Sequence, residues 1–147
     1  MLRQFAVGSL VFAVAMMFAA TQAEDAASKK FSAKCPISGG KAKEAQSADF
    51  KGGKVYFCCG KCKAAFEKDS TKHTAKAHAQ LVATGQYEQK KCPLTGGPMK
   101  TTTTVGGLEV KLCCGGCKKK VEKAEGADQL ALVFSDSAFK KAFVKKK

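Results

Sequence analysis

Val55-Tyr56-Phe57-Cys58-Cys59-Gly60-Lys61-Cys62-Lys63 returns later in the chain as Val110-Lys111-Leu112-Cys113-Cys114-Gly115-Gly116-Cys117-Lys118. In both stretches a β-branched and aromatic or aliphatic run, which reads as a strand, ends in adjacent cysteines, and one more cysteine follows after a gap of two residues. A second shared element lies upstream: Lys34-Cys35-Pro36-Ile37-Ser38-Gly39-Gly40 in the first copy and Lys91-Cys92-Pro93-Leu94-Thr95-Gly96-Gly97 in the second. The spacings are therefore Cys-x22-Cys-Cys-x2-Cys and Cys-x20-Cys-Cys-x2-Cys. Repetition of one pattern with a small difference in loop length is the mark of an internal duplication.

A coarse structure follows from these stretches. Cys-Pro-x-(Ser/Thr)-Gly-Gly is a tight turn, because proline fixes one dihedral and glycine permits positive φ. Ala48 to Phe50 and Lys54 to Phe57 flank Lys51-Gly52-Gly53, and Thr101 to Val105 and Leu108 to Leu112 flank Gly106-Gly107, so each copy carries a β-hairpin. The double-cysteine segment then enters a helix, with Cys62, Ala65, Phe66 and Asp69 at helical spacing in the first copy. A further helix is expected from about Asp69 or Ser70 to Ala83, before Gly85. In the second copy the helix from Gly115 should stop near Gly126. Gln129 to Phe134 follow as a short apolar segment, and Ser135-Asp136 caps a last helix bearing Phe139, Ala142 and Phe143. The fold class is small α+β: two tandem zinc-finger-like modules, each turn, β-hairpin and helix, with additional short helices.

Ahead of the repeats, Arg3, the apolar run from Phe5 to Ala20 broken only by Gly8 and Ser9, and the small-residue end at Ala23 have the order of a secretory signal peptide. The run is short for a membrane helix, which needs about 20 residues, and no cysteine sits at the cleavage point to take a lipid. The expected layout is a signal peptide at 1–23, an N-terminal extension at 24–33, a first cysteine-rich module at 34–85, a linker at 86–90, a second module at 91–126, and a C-terminal helical segment with a basic tail at 127–147. Export to the periplasm or the extracellular space follows, with no stable membrane insertion once the signal is removed.

Modules of this size are short of core, since a domain of about 60 residues buries only about 60% of its unfolded surface. Staples are the usual remedy: disulfides, metal or association. All eight cysteines lie beyond residue 23 and supply candidates for the first two. The net charge is +14, from 26 basic and 12 acidic residues. Nucleic-acid binding is discounted, because the only arginine is Arg3 and the forked guanidinium that reads phosphates and bases is missing from the rest.

The cysteine pattern points to coordination. A turn with one cysteine, a hairpin, and cysteines at a helix start converge on one point, as in a structural zinc site. Cys58 and Cys62 are four apart and share a helical face; the first helical turn and neighbouring Lys61, Lys63, Lys118 and Lys119 favour thiolate. Such thiolates suit zinc, copper(I) or another soft ion, about one per module. Candidate ligands are Cys35, Cys58, Cys59 and Cys62 in the first copy, and Cys92, Cys113, Cys114 and Cys117 in the second.

The same residues resemble the TRASH and YHS families of treble-clef-like metal-binding domains. Tyr56-Phe57-Cys58-Cys59-Gly60-Lys61-Cys62-Lys63-Ala64-Ala65-Phe66 is close to their strand-to-helix signature, and the match is best at Cys35, Cys58 and Cys62 and at Cys92, Cys113 and Cys117. The resemblance implies metal trafficking, sequestration or sensing, with a metal-transport or resistance protein as partner and no enzymatic activity. Ser38 and Thr95 stand where a full Cys-x-x-Cys knuckle would have its second cysteine, so Cys59 and Cys114 are candidates for the fourth ligand, and a three-thiolate site is the other option.

Two other classes compete. Four cysteines per copy allow two disulfides in an oxidising compartment, with three pairings, although adjacent cysteines clustered at one point bridge distant loops poorly. Cys59-x-x-Cys62 and Cys114-x-x-Cys117 also have the form of thiol–disulfide oxidoreductases, without the βαβ context that goes with them. A c-type haem is excluded, because Lys63 and Lys118 occupy the histidine position of that motif. His73 and His78, five apart and confined to the first copy, read as solvated or capping residues of a helix.

Overall fold

A computed structural model describes residues 31–147; the expected signal peptide at 1–23 and most of the 24–33 extension lie outside the described residues. The element order is β1 (Lys43–Phe50), β2 (Gly53–Phe57), α1 (Gly60–Lys68), a 3-10 turn (Thr71–His73), α2 (Thr74–Ala83), β3 (Tyr87–Gln89), β4 (Thr101–Val105), β5 (Leu108–Leu112), α3 (Gly115–Lys123), α4 (Gly126–Phe134), α5 (Asp136–Ala142) and β6 (Phe143–Lys145).

The second hairpin forms over the expected residues, whereas in the first β1 begins at Lys43 instead of Ala48 and Gly53 joins β2, leaving a two-residue loop. Lys51 and Gly52 have φ of 49° and 82°, and Gly106 and Gly107 have 59° and 84°. Two consecutive positive φ values make a two-residue loop whose twist matches that of its strands. The register is set accordingly, Phe50 opposite Gly53 in the first hairpin and Val105 opposite Leu108 in the second. Alternation does the rest: Val55 and Phe57, and Val110 and Leu112, face inward, while Lys54, Lys111 and Glu109 are exposed. Phe66 of α1 and Val121 of α3 close over these faces from equivalent positions.

The two copies share one buried cluster instead of keeping separate cores. Phe57 and Leu81 from the first half join Leu112, Phe134 and Phe143 from the second. Helix α2 packs on α4 and α5, and β3 pairs antiparallel with β6, Glu88 opposite Val144. Among the described residues no helix is long and apolar enough to cross a membrane.

Five local expectations change. Gln129 to Phe134 are part of helix α4, which opens at Gly126 with φ of 53°, so Gly126 starts a helix as well as ending the previous segment. The 86–90 stretch, expected as a linker, contains strand β3, and Lys145 of the expected basic tail belongs to β6. Ser135 occupies the N-cap of α5, but its hydroxyl makes no capping hydrogen bond. His78, expected in solvent, is 1% exposed: its Nδ1 lies 2.8 Å from the Phe134 carbonyl oxygen, which it bonds with that nitrogen protonated. The Phe139 ring of α5, from the other end of the chain, stacks on it, and Phe50 of β1 lies tilted against it.

Candidate metal centre

Each centre begins with its turn. Cys35 N–H donates to the Gly40 carbonyl at 2.7 Å and Gly39 N–H to the Cys35 carbonyl at 2.8 Å; in the second copy Cys92 to Gly97 and Gly96 to Cys92 do the same at 2.9 and 2.7 Å. Gly39 and Gly96, at φ of 74° and 78°, supply the conformation that closes these loops. Strands β2 and β5 then deliver Cys58 and Cys113, and the first turns of α1 and α3 deliver Cys62 and Cys117.

The result is two matching triads. The sulfurs of Cys35, Cys58 and Cys62 all lie within 4.8 Å of one another, and so do those of Cys92, Cys113 and Cys117. Cys58 to Cys62 and Cys113 to Cys117 are both 3.5 Å, and all eight cysteines are free thiols. A metal–sulfur bond of about 2.3 Å separates tetrahedral sulfurs by about 3.8 Å. The donor set and its spacing therefore fit a soft ion with small adjustments.

Cys59 and Cys114 stand apart from the triads. They are exposed, hold the extended N-cap positions of α1 and α3, and place their sulfurs 3.7 Å from Cys58 and Cys113. The hydroxyls that replace the knuckle cysteine lie against the strand sulfurs: Ser38 Oγ is 3.3 Å from the Cys58 sulfur and Thr95 Oγ1 donates to Cys113 at 3.2 Å.

The thiols of a triad do not ionise alike. Burial opposes ionisation of Cys35, but the Ser38 backbone and hydroxyl, with the backbones of Cys58 and Ile37, outweigh it and lower the thiol to about 6. Cys92 comes down to about 7 in the same way, against burial and through Thr95. Cys62 is pushed up to about 12, first by the Cys58 thiol and then by burial; Cys117 reaches about 12 through burial and then its Cys113 and Cys114 neighbours. Cys59 is lowered chiefly by the backbone N–H of Cys62, and Cys114 by that of Cys117. Each centre thus has a ready thiolate in the turn, a thiol on the helix that gives up its proton last, and an exposed thiol of enhanced acidity at the rim.

Comparison with protein-family models, curated proteins and solved structures found no significant match to this chain. What stands is the geometry: two cysteine triads close enough to hold a metal ion, in a small mixed α+β fold.

Residues that the cysteine spacing did not single out lie beside each triad. Gln80 and Gln89 bond to the backbone on both sides of the triads. No periodic signal marks them, because one lies in a helix and the other in a strand outside the repeated pattern.

Proposed function

We propose that this is an exported, non-enzymatic metal-binding protein, a tandem relative of the TRASH and YHS domains, in which each triad takes one zinc or copper(I) ion for trafficking or sequestration. The observation that carries this is the repetition of one arrangement, three sulfurs within 4.8 Å, at both ends of a duplicated sequence. Three thiolates without a hard oxygen donor favour a thiophilic ion over magnesium or calcium. The exposed Cys59 and Cys114 support exchange: a thiolate 3.7 Å from a triad sulfur can take up or surrender the cargo by ligand substitution without the triad opening. Proton release accompanies loading, because ligands must be deprotonated.

The same sulfur proximity would also serve a disulfide-stapled scaffold, so the test must separate the two. Anaerobic purification of the exported protein, followed by joint measurement of zinc, copper and free thiols, does so. About two ions per chain, with thiols that alkylate only after chelation, supports binding. No metal together with no free thiols overturns it in favour of the scaffold, and a thiol–disulfide exchange activity would favour a redox enzyme.

A further inference from the structure

Two glutamines that are unrelated by the repeat make the same three hydrogen bonds in the two halves. Gln80 Nε2 donates to the Lys34 carbonyl at 2.8 Å and to the Tyr56 carbonyl at 2.7 Å, while Tyr56 N–H donates to Gln80 Oε1 at 2.7 Å. Gln89 Nε2 donates to the Lys91 carbonyl at 2.8 Å and to the Lys111 carbonyl at 2.5 Å, while Lys111 N–H donates to Gln89 Oε1 at 2.9 Å. Lys34 and Lys91 directly precede the turn cysteines Cys35 and Cys92. Tyr56 and Lys111 each lie two residues before the strand cysteines Cys58 and Cys113.

One side-chain amide therefore bonds both the N–H and the C=O of the strand residue, as a neighbouring strand would, and uses its other hydrogen to hold the turn segment. Strands β2 and β5 pair with a partner only on one side, to β1 and β4, so their outer backbone groups need such a substitute. Gln80 is 4% exposed, where unmade hydrogen bonds are costly. Gln86 also bonds both backbone groups of Lys54 on the β2 edge, so what sets Gln80 and Gln89 apart is the third bond, to the residue before each turn cysteine, which the two copies reach from different elements, helix α2 and strand β3.

We infer that Gln80 and Gln89 are positioning residues for the two metal centres, fixing the distance between the turn thiol and the strand thiol of each triad. The inference rests on the metal-binding reading, and residues that orient metal ligands typically change affinity by about 10- to 100-fold when removed.

The test uses the full-length exported protein loaded with cadmium, with affinity measured by chelator competition and each centre observed by cadmium NMR. Gln80→Met keeps the side-chain length and loses all three bonds; it should weaken one centre about 10- to 100-fold and move its resonance, leaving the other in place. Gln89→Met should do the reverse. Gln80→Asn and Gln89→Asn keep the amide one methylene short of its partners and should also weaken the corresponding centre, and they carry the test if a methionine variant does not fold. Wild-type affinity and resonances in the folded variants would overturn the inference. Should the wild type bind no cadmium, the metal reading fails by itself, and the positioning role is then read from the thiols. In a glutathione redox buffer, oxidised glutathione takes two electrons from a pair of triad thiols, giving one disulfide and two reduced glutathiones. The effective concentration of Cys35 against its triad partners should drop at least about tenfold in Gln80→Met, and an unchanged value would overturn the role.

Discussion

The imidazole of His78 lies parallel to the ring of Phe139, with centroids 3.9 Å apart and planes 2° apart. His78 belongs to α2 and Phe139 to α5, so this stack, with the bond to Phe134, joins the first half of the chain to the last. Its Nε2 has no hydrogen-bond partner and lies 3.7 Å from Asp136, which is itself engaged by Lys51. Burial favours the neutral ring, against the pull of an acceptor on one side and a carboxylate on the other whose charge Lys51 partly offsets.

A pH dependence follows. Burial lowers the His78 pKa, opposed by the Phe134 carbonyl and Asp136 and reinforced by Lys51. In the unfolded chain the imidazole titrates near 6.5. The unfolded state then binds more protons below that value, so this contribution to stability is complete above about pH 6.5 and falls as the pH drops toward the folded value. Asp69 and Asp136 have lowered values and lose their contributions only below the ordinary carboxylate range, whereas Cys35 and Cys92 lose theirs at higher pH. Comparing urea unfolding of wild type and His78→Phe isolates the histidine: at pH 7 the variant should be less stable by about 1–3 kcal/mol, its Phe134 carbonyl being left unbonded. The gap should narrow on going to pH 5; a constant gap would contradict a buried neutral imidazole.

Metal uptake at neutral pH should release protons from Cys62 and Cys117, whose thiols are raised to about 12, while Cys35, lowered to about 6, is already largely thiolate. Calorimetric titration with zinc in buffers of different ionisation enthalpy counts them. At least one proton per ion is expected, and acidification toward pH 5 should strip both centres.

Cys59→Ser and Cys114→Ser should leave about two ions per chain but slow their transfer to a competing thiol chelator. Cys35→Ser and Cys62→Ser should each cost one ion. Stopped-flow exchange and metal analysis distinguish the cases, and loss of an ion from Cys59→Ser would make that thiol a resident ligand.

Gly53→Ala should destabilise the fold by about 1–3 kcal/mol through overpacking. Its Cβ would lie 2.7 Å from Leu81 Cδ2 and 3.0 Å from Gln86 Oε1, and Leu81 is fully buried. Gly115→Ala, where nothing lies within 4 Å, serves as the control and should stay within about 0.5 kcal/mol of wild type in the same urea titration.

Local chemistry made much of this legible in the sequence. Gly106-Gly107 between alternating residues fixed β4 and β5 to the residue, and the repeated cysteine spacing pointed to both triads. What escaped depends on partners far along the chain. A histidine at an uninformative interval says nothing of Phe134, 56 residues away. Strands β3 and β6 have three residues each and exist only because they meet. Gln80 and Gln89 look like ordinary surface amides until the edges of β2 and β5 are seen to be bare.

The pairing of β3 with β6 gives the chain an unequal division of labour. Residues 91–126 carry every cysteine of the second centre, yet Gln89 stands outside them, on a strand whose mate is β6, the last strand among the described residues. A cut placed in the apparent gap between the repeats would separate the second set of thiols from their crosspiece, and trimming from Phe143 onward would loosen it. The two copies are thus no longer interchangeable parts: the first has its amide within residues 34–85, whereas the second borrows from the chain on either side of it.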